Sequence, residues 1–177
     1  MKPIVLLLVL TAAMQSFAQQ AKPTPTLKSI LLEELRTTHN EKDWFVPANV
    51  AIEGITPEQA KWTDGSGNHS IGQLTVHLIF WNRQQLAKMK GLPAPKFSGD
   101  NNETFNSFDA ANWAAAVKDL DTVLTDLEQT VEGFDDAKIN QWASNLAHIA
   151  THNAYHTGQI VYIRKLQGSW NPEKGVK

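Results

Sequence analysis

The stretch WAAAVKDLDTVLTDLEQTVEG, residues 113–133, decides the fold. Trp113, Val117, Leu120, Leu124, Leu127 and Val131 recur at alternating spacings of four and three. That spacing lays the apolar side chains along one stripe of a helix, the seam by which helices pack into a bundle. The reading places this helix at about Asp109 to Glu132, stopped by Gly133.

Working outward, two other starts carry their own signals. Thr56-Pro57-Glu58-Gln59 and Ser70-Ile71-Gly72-Gln73 each place a hydroxyl cap three residues before a glutamine, so that cap and glutamine satisfy each other's free backbone N–H groups. Pro57 fits a first helical position. The helix opened by Thr56 is short, because Asp64-Gly65-Ser66-Gly67-Asn68 is turn-forming. The helix opened by Ser70 carries Ile71, Leu74, Leu78 and Trp81 on its inner face and ends at Gly91 and Pro93. Leu27, Ile30, Leu31 and Leu35 start an earlier helix running to about Phe45, where Pro47 ends or kinks it. The last helix begins after Asp135 or Asp136 and runs to about Gln167, with Gly168 as its stop. Gly91 to Ser107 is a polar loop of a length that is usually functional or mobile. No run alternates like a strand for long, so the fold class is all-α, a single-domain four-helix bundle over residues 27–168. Periodicity leaves helix order and handedness open.

The 177 residues start with a removable address. Lys2 gives a positive start, Ile4 to Ala13 an apolar run, and Ser16-Phe17-Ala18 a small-x-small cleavage site, the pattern of a secretory signal peptide over residues 1–18. The apolar run is too short to span a bilayer. Residues 19–26 then form a linker containing Pro23 and Pro25, and residues 169–177 a C-terminal tail. The chain is expected to be exported, periplasmic or secreted. Its net charge of −2, without a Lys/Arg cluster, gives no footprint for nucleic acid, and no membrane span is expected in the mature chain. Cysteine is absent, which removes disulfides, thiolate metal sites and cysteine nucleophiles.

Three of the six histidines fall within nine residues: His148, His152 and His156. Spacings of four put them on nearly one helical face, which Ile163 and Leu166 continue, so the face is expected to point inward. Two histidines four apart can chelate one ion, and His77 on the inner side of the Ser70 helix is the candidate third ligand. A lone inward histidine is more often a hydrogen-bonded core residue, and a histidine stripe can be an exposed polar face. Neither helix carries a carboxylate near these positions, so the site would be all-nitrogen. His39 and His69 are read as without a functional role, the tryptophans as core or pocket wall, and Glu33, Glu34, Glu41 and Asp43 as a solvated face, one member of which could orient a histidine.

His152-Asn153-Ala154-Tyr155-His156-Thr157-Gly158-Gln159-Ile160, taken with His77 one turn before Trp81 and with Ser70-Ile71-Gly72-Gln73-Leu74 at the helix start, resembles the DinB-like superfamily of small metal-binding helical proteins. The resemblance covers residues 27–168. It implies a four-helix bundle, often a homodimer, in which His77, His152 and His156 hold one divalent ion at the mouth of a pocket. It places His148 beside the ion or in the pocket wall, and favours a kinked continuation of the first helix past Pro47. Relatives of that kind include thiol transferases and metal-dependent isomerases and hydrolases acting on small molecules. Three neutral histidines suit zinc or nickel and accommodate iron or manganese. They leave an open position for water, thiol or substrate. His148 is then the nearest candidate for a general base. The expected function is a metal-dependent transferase or hydrolase, the alternative a non-catalytic metal-binding or structural module. N-terminal sequencing of exported material should start at Gln19, and a retained leader would overturn the export reading.

Overall fold

The computed structural model of the chain describes residues 24–176; the expected signal peptide and the expected linker up to Pro23 lie outside the described residues. Among these residues the order is α1 (Leu27–His39), α2 (Ala48–Ile52), α3 (Pro57–Lys61), α4 (Ile71–Lys90), α5 (Trp113–Glu132) and α6 (Asp136–Leu166). The long helices α1, α4, α5 and α6 make the bundle, with no strand among the described residues. None of the helices described is long and apolar enough to cross a membrane.

Helix order is now defined. Both α1 and α4 pack against α5 and α6, so α1 and α4 stand on a diagonal although they are consecutive long helices. The segment between them crosses the bundle: α2 packs on α6 and α3 on α4. Both expected capping boxes form, with Thr56 and Ser70 each accepting from the backbone of the glutamine three residues on. A third, Thr26 with Ser29, opens α1. Gly91 and Gly168 terminate α4 and α6 at positive φ, 65° and 71°, a conformation that costs glycine little.

The α5 seam is the core as read: Trp113, Leu120, Leu124, Leu127 and Val131 are all buried, with Val117 packed at its margin. A short 3₁₀ turn, Ala110–Asn112, precedes α5 proper. Trp113 also donates its indole N–H to the Ile55 carbonyl at 2.7 Å, which ties α5 to the crossing segment.

α1 departs from its expected course. It stops at His39 instead of Phe45, and α2 restarts independently with Pro47 as its N-cap. Thr38 turns its hydroxyl back onto the Leu35 carbonyl, and His39, only 1% exposed, is pulled into the bundle by two carboxylates of α5. Its Nδ1 lies 2.6 Å from Glu128 Oε1 and its Nε2 3.0 Å from Asp121 Oδ1. Burial alone lowers the pKa of this imidazole, but the hydrogen bonds and charges of Glu128 and Asp121 outweigh it, and the net shift is upward. His39 is therefore a clamped residue, its protonated form favoured, that joins the end of α1 to α5. Leu27 and Ile30 face solvent, and the buried face of α1 is Leu31, Leu32 and Leu35.

One close approach positions the long loop. Gly72, in the first turn of α4, lies under the ring of Phe108; a Cβ there would stand 2.2 Å from the ring. Replacing Leu120 or Leu124 by alanine should cost roughly 2–5 kcal/mol in denaturant unfolding. A loss below about 0.5 kcal/mol would mean that the seam does not carry the core.

Candidate metal centre

The ligand candidates are set by two adjacent helices. On α4, His77 follows Leu74 and precedes Leu78, and all three are buried. On α6, His152 and His156 stand one turn apart with the buried Asn153 between them. Asn82 of α4 donates its amide to Asn153 Oδ1 at 2.8 Å, and Asn153 returns a longer bond to Asn82 Oδ1 at 3.3 Å. This reciprocal pair fixes the register in which His77 meets the α6 histidines.

The three rings converge through Nε2. His152 Nε2 lies 3.1 Å from His77 Nε2 and 3.1 Å from His156 Nε2. Two nitrogens bound to one tetrahedral ion at about 2.0–2.1 Å stand roughly 3.3–3.4 Å apart, so little movement separates this cluster from a coordination sphere. The outer nitrogens of two rings are occupied. His77 Nδ1 is 2.5 Å from Thr104 Oγ1, and His156 Nδ1 is 2.6 Å from Gln159 Oε1. Because the Gln159 oxygen can only accept, His156 carries its proton on Nδ1 and its Nε2 lone pair faces the cluster. Burial, followed by the neighbouring imidazoles, depresses the pKa of His77 to about 3 and of His152 to about 4. Burial also lowers that of His156, against the opposing pull of Gln159. All three rings are thus neutral near pH 7, the form that binds metal. Donor type, protonation and spacing together fit a divalent cation.

A cavity of about 450 Å3 opens beside the cluster, lined by the three histidines and by Trp81, Asn101, His148 and Tyr155 among others. Its lining includes no Asp, Glu, Lys or Arg. A larger groove of about 770 Å3, between Phe45, Val161 and Trp170, contains none of the histidines.

Of the histidine stripe, His152 and His156 enter the bundle but His148 is exposed on the cavity rim. Each step of four residues turns about 40° beyond a full helical turn, and along the stripe His156 is buried, His152 half-buried and His148 beyond the edge of the inner face. Ile163 is buried, but Leu166, about five full turns beyond His148 and therefore on the same outer position, is 49% exposed, contrary to the expected continuation. His69, expected to have no role, stacks on Phe105 at 3.7 Å between ring centroids. Phe105 in turn stacks on His77 at 4.0 Å, so one phenyl lies between two imidazoles. Thr104 and Phe105 are the site residues that the sequence reading missed. Their signal was a buried-type aromatic in the middle of an otherwise polar loop.

The family model of the DinB superfamily matches residues 48–160, which include all three converging histidines. The chain belongs to the DinB superfamily. No curated protein and no solved structure gives a significant match to it. As a DinB protein it places the cluster inside the matched region, whereas α1 and the clamped His39 lie outside it.

The depressed pKa values have a stability consequence. Unfolded histidines bind protons near pH 6.5, whereas His77 and His152 in the fold do so only near 3 and 4. Their contribution is therefore fully present above about pH 6.5 and is lost as pH falls toward 4. Metal-free protein should lose on the order of 1–2 kcal/mol per histidine between pH 7 and pH 5. Urea unfolding at the two pH values checks this against a variant in which both histidines are glutamine; an equal pH response in the two proteins would refute it.

Proposed function

We propose that this DinB protein is exported and binds one divalent ion through His77, His152 and His156, as a metal-dependent enzyme of transferase or hydrolase type acting on a small molecule. The observation that carries the reading is the convergence of three neutral Nε2 atoms beside an open cavity. Three imidazoles are a ligand set that zinc or nickel accepts and that leaves room for an exogenous ligand. An ion so held supplies Lewis acidity, lowering the pKa of a water or thiol that reaches it.

The chain's own groups have separate tasks. Thr104 and Gln159 hold the outer nitrogens of two ligands. Phe105, packed flat on His77, keeps water from that ring. Trp81 and Tyr155 wall the cavity, and the indole N–H of Trp81 donates to Asn101 Oδ1 at 3.1 Å, holding the loop against α4. His148 on the rim is the side chain placed to accept a proton from a group inside the cavity. The absence of carboxylates from the lining is what favours the second reading, a metal-binding module without turnover.

Metal analysis by mass spectrometry should find one ion per chain in purified protein. Alanine at His77, His152 or His156 should remove most of it, whereas His148→Ala should retain it. Metal at background level in the wild type, or full occupancy in the His77→Ala variant, would overturn the ligand assignment. Metal binding unchanged but activity reduced in His148→Ala would support the enzymatic reading over the module.

A further inference from the structure

We propose that Thr104 is a positioning residue of the metal centre, selecting the tautomer of His77 that presents a bare Nε2 to the ion. The inference rests on the metal reading above and assigns a function to a loop that contributes no ligand. A threonine hydroxyl ordinarily both donates and accepts, and so leaves a neighbouring imidazole free to choose its tautomer. Here that freedom is removed. Thr104 Oγ1 donates its proton to the Asn101 carbonyl at 2.7 Å, which leaves only lone pairs facing His77. His77 must then carry its proton on Nδ1, across the 2.5 Å contact, and its Nε2 is an acceptor toward the cluster. Thr104 is 4% exposed and His77 2%, so no solvent competes for either atom.

The neighbouring residue adds the second constraint. Phe105 lies within 5° of parallel to the His77 ring, so consecutive residues of one turn set the proton and the plane of the same ligand. The turn is itself held: it is the 3₁₀ segment Asn101–Phe105, capped by Asp100, whose carboxylate accepts from the Asn102 N–H at 2.9 Å. His156 has a comparable partner in Gln159, but that partner comes from the same helix and is half-exposed. His77 is thus the ligand oriented from outside its own helix. Hydrogen bonds to the outer nitrogen of a ligating histidine raise ligand basicity and fix ring direction, and their removal typically weakens metal binding 10- to 100-fold.

The test compares full-chain wild type, Thr104→Ser and Thr104→Val, the last being close in shape but unable to accept. Long-range 1H–15N NMR on metal-free protein should find His77 protonated on Nδ1 in the wild type and the serine variant. Competition of Co2+ against a chelator should give near wild-type affinity for Thr104→Ser and roughly 10- to 100-fold weaker binding for Thr104→Val. The visible spectrum of bound Co2+ should shift in the valine variant, which a purely structural loss would not produce in a folded, loaded protein. His77 protonated on Nε2 in the metal-free wild type would overturn the proposal, as would equal Co2+ affinity of valine variant and wild type. Failure of the wild type itself to take up Co2+ would instead overturn the metal reading and this role with it.

Discussion

The pairing of Asn82 with Asn153 is the constraint on which the site depends. Both amides are sealed between α4 and α6, and Asn82 also donates to the Leu78 carbonyl at 2.8 Å. A buried amide without a partner costs about 1–3 kcal/mol, so sliding one helix along the other is penalised at both residues at once. Apolar packing would tolerate such a slip far better, because one leucine contact substitutes for another. The seam of α5 stabilises the bundle, but the amide pair specifies which turn of α4 faces which turn of α6. His77 and His152 sit close along the chain to this lock and take their alignment from it.

The histidines of this protein show how neighbours decide the meaning of a residue type. His39 faces Glu128 and Asp121, whose hydrogen bonds and charges favour its protonated form. His77, His152 and His156 face one another and uncharged groups, and are held neutral. Keeping three imidazoles together without a counter-charge sacrifices stability, and natural folds accept such costs mainly where chemistry is done. The carboxylates stand at the α1–α5 contact and are missing from the α4–α6 cavity. That distribution separates a structural histidine from ligand candidates more clearly than burial does, since His39 is as buried as His77.

Much of this was legible in the chain. The four-and-three spacing of α5, the Thr56 and Ser70 capping boxes and the glycine stops are local signals, and each produced the element it encodes. The trio His77, His152 and His156 was legible because two members share one helical turn and the third lies on an apolar face. What escaped was non-local. The diagonal placement of α1 and α4 is set by the short helices that cross between them. The burial of His39 requires acids from a helix far along the sequence. Thr104 gains its role only where a folded turn delivers it to His77, and no periodicity within residues 91–107 announces that. His148 lines the cavity as a wall residue but lies exposed at its rim instead of facing inward, because a four-residue repeat drifts around a helix with about 3.6 residues per turn.

The contact between Gly72 and Phe108 bears on how such a protein changes over generations. Phe108 follows closely on the turn that holds Thr104, and its ring occupies the space where any other residue at 72 would carry its first carbon. A substitution there leaves every ligand candidate and every seam leucine intact, yet it displaces the ring and disturbs the seating of the loop. Heritable variation at this position is thus policed by shape and not by chemistry. The absence of a single methyl group ties the start of α4 to the far end of the loop beside the histidine cluster.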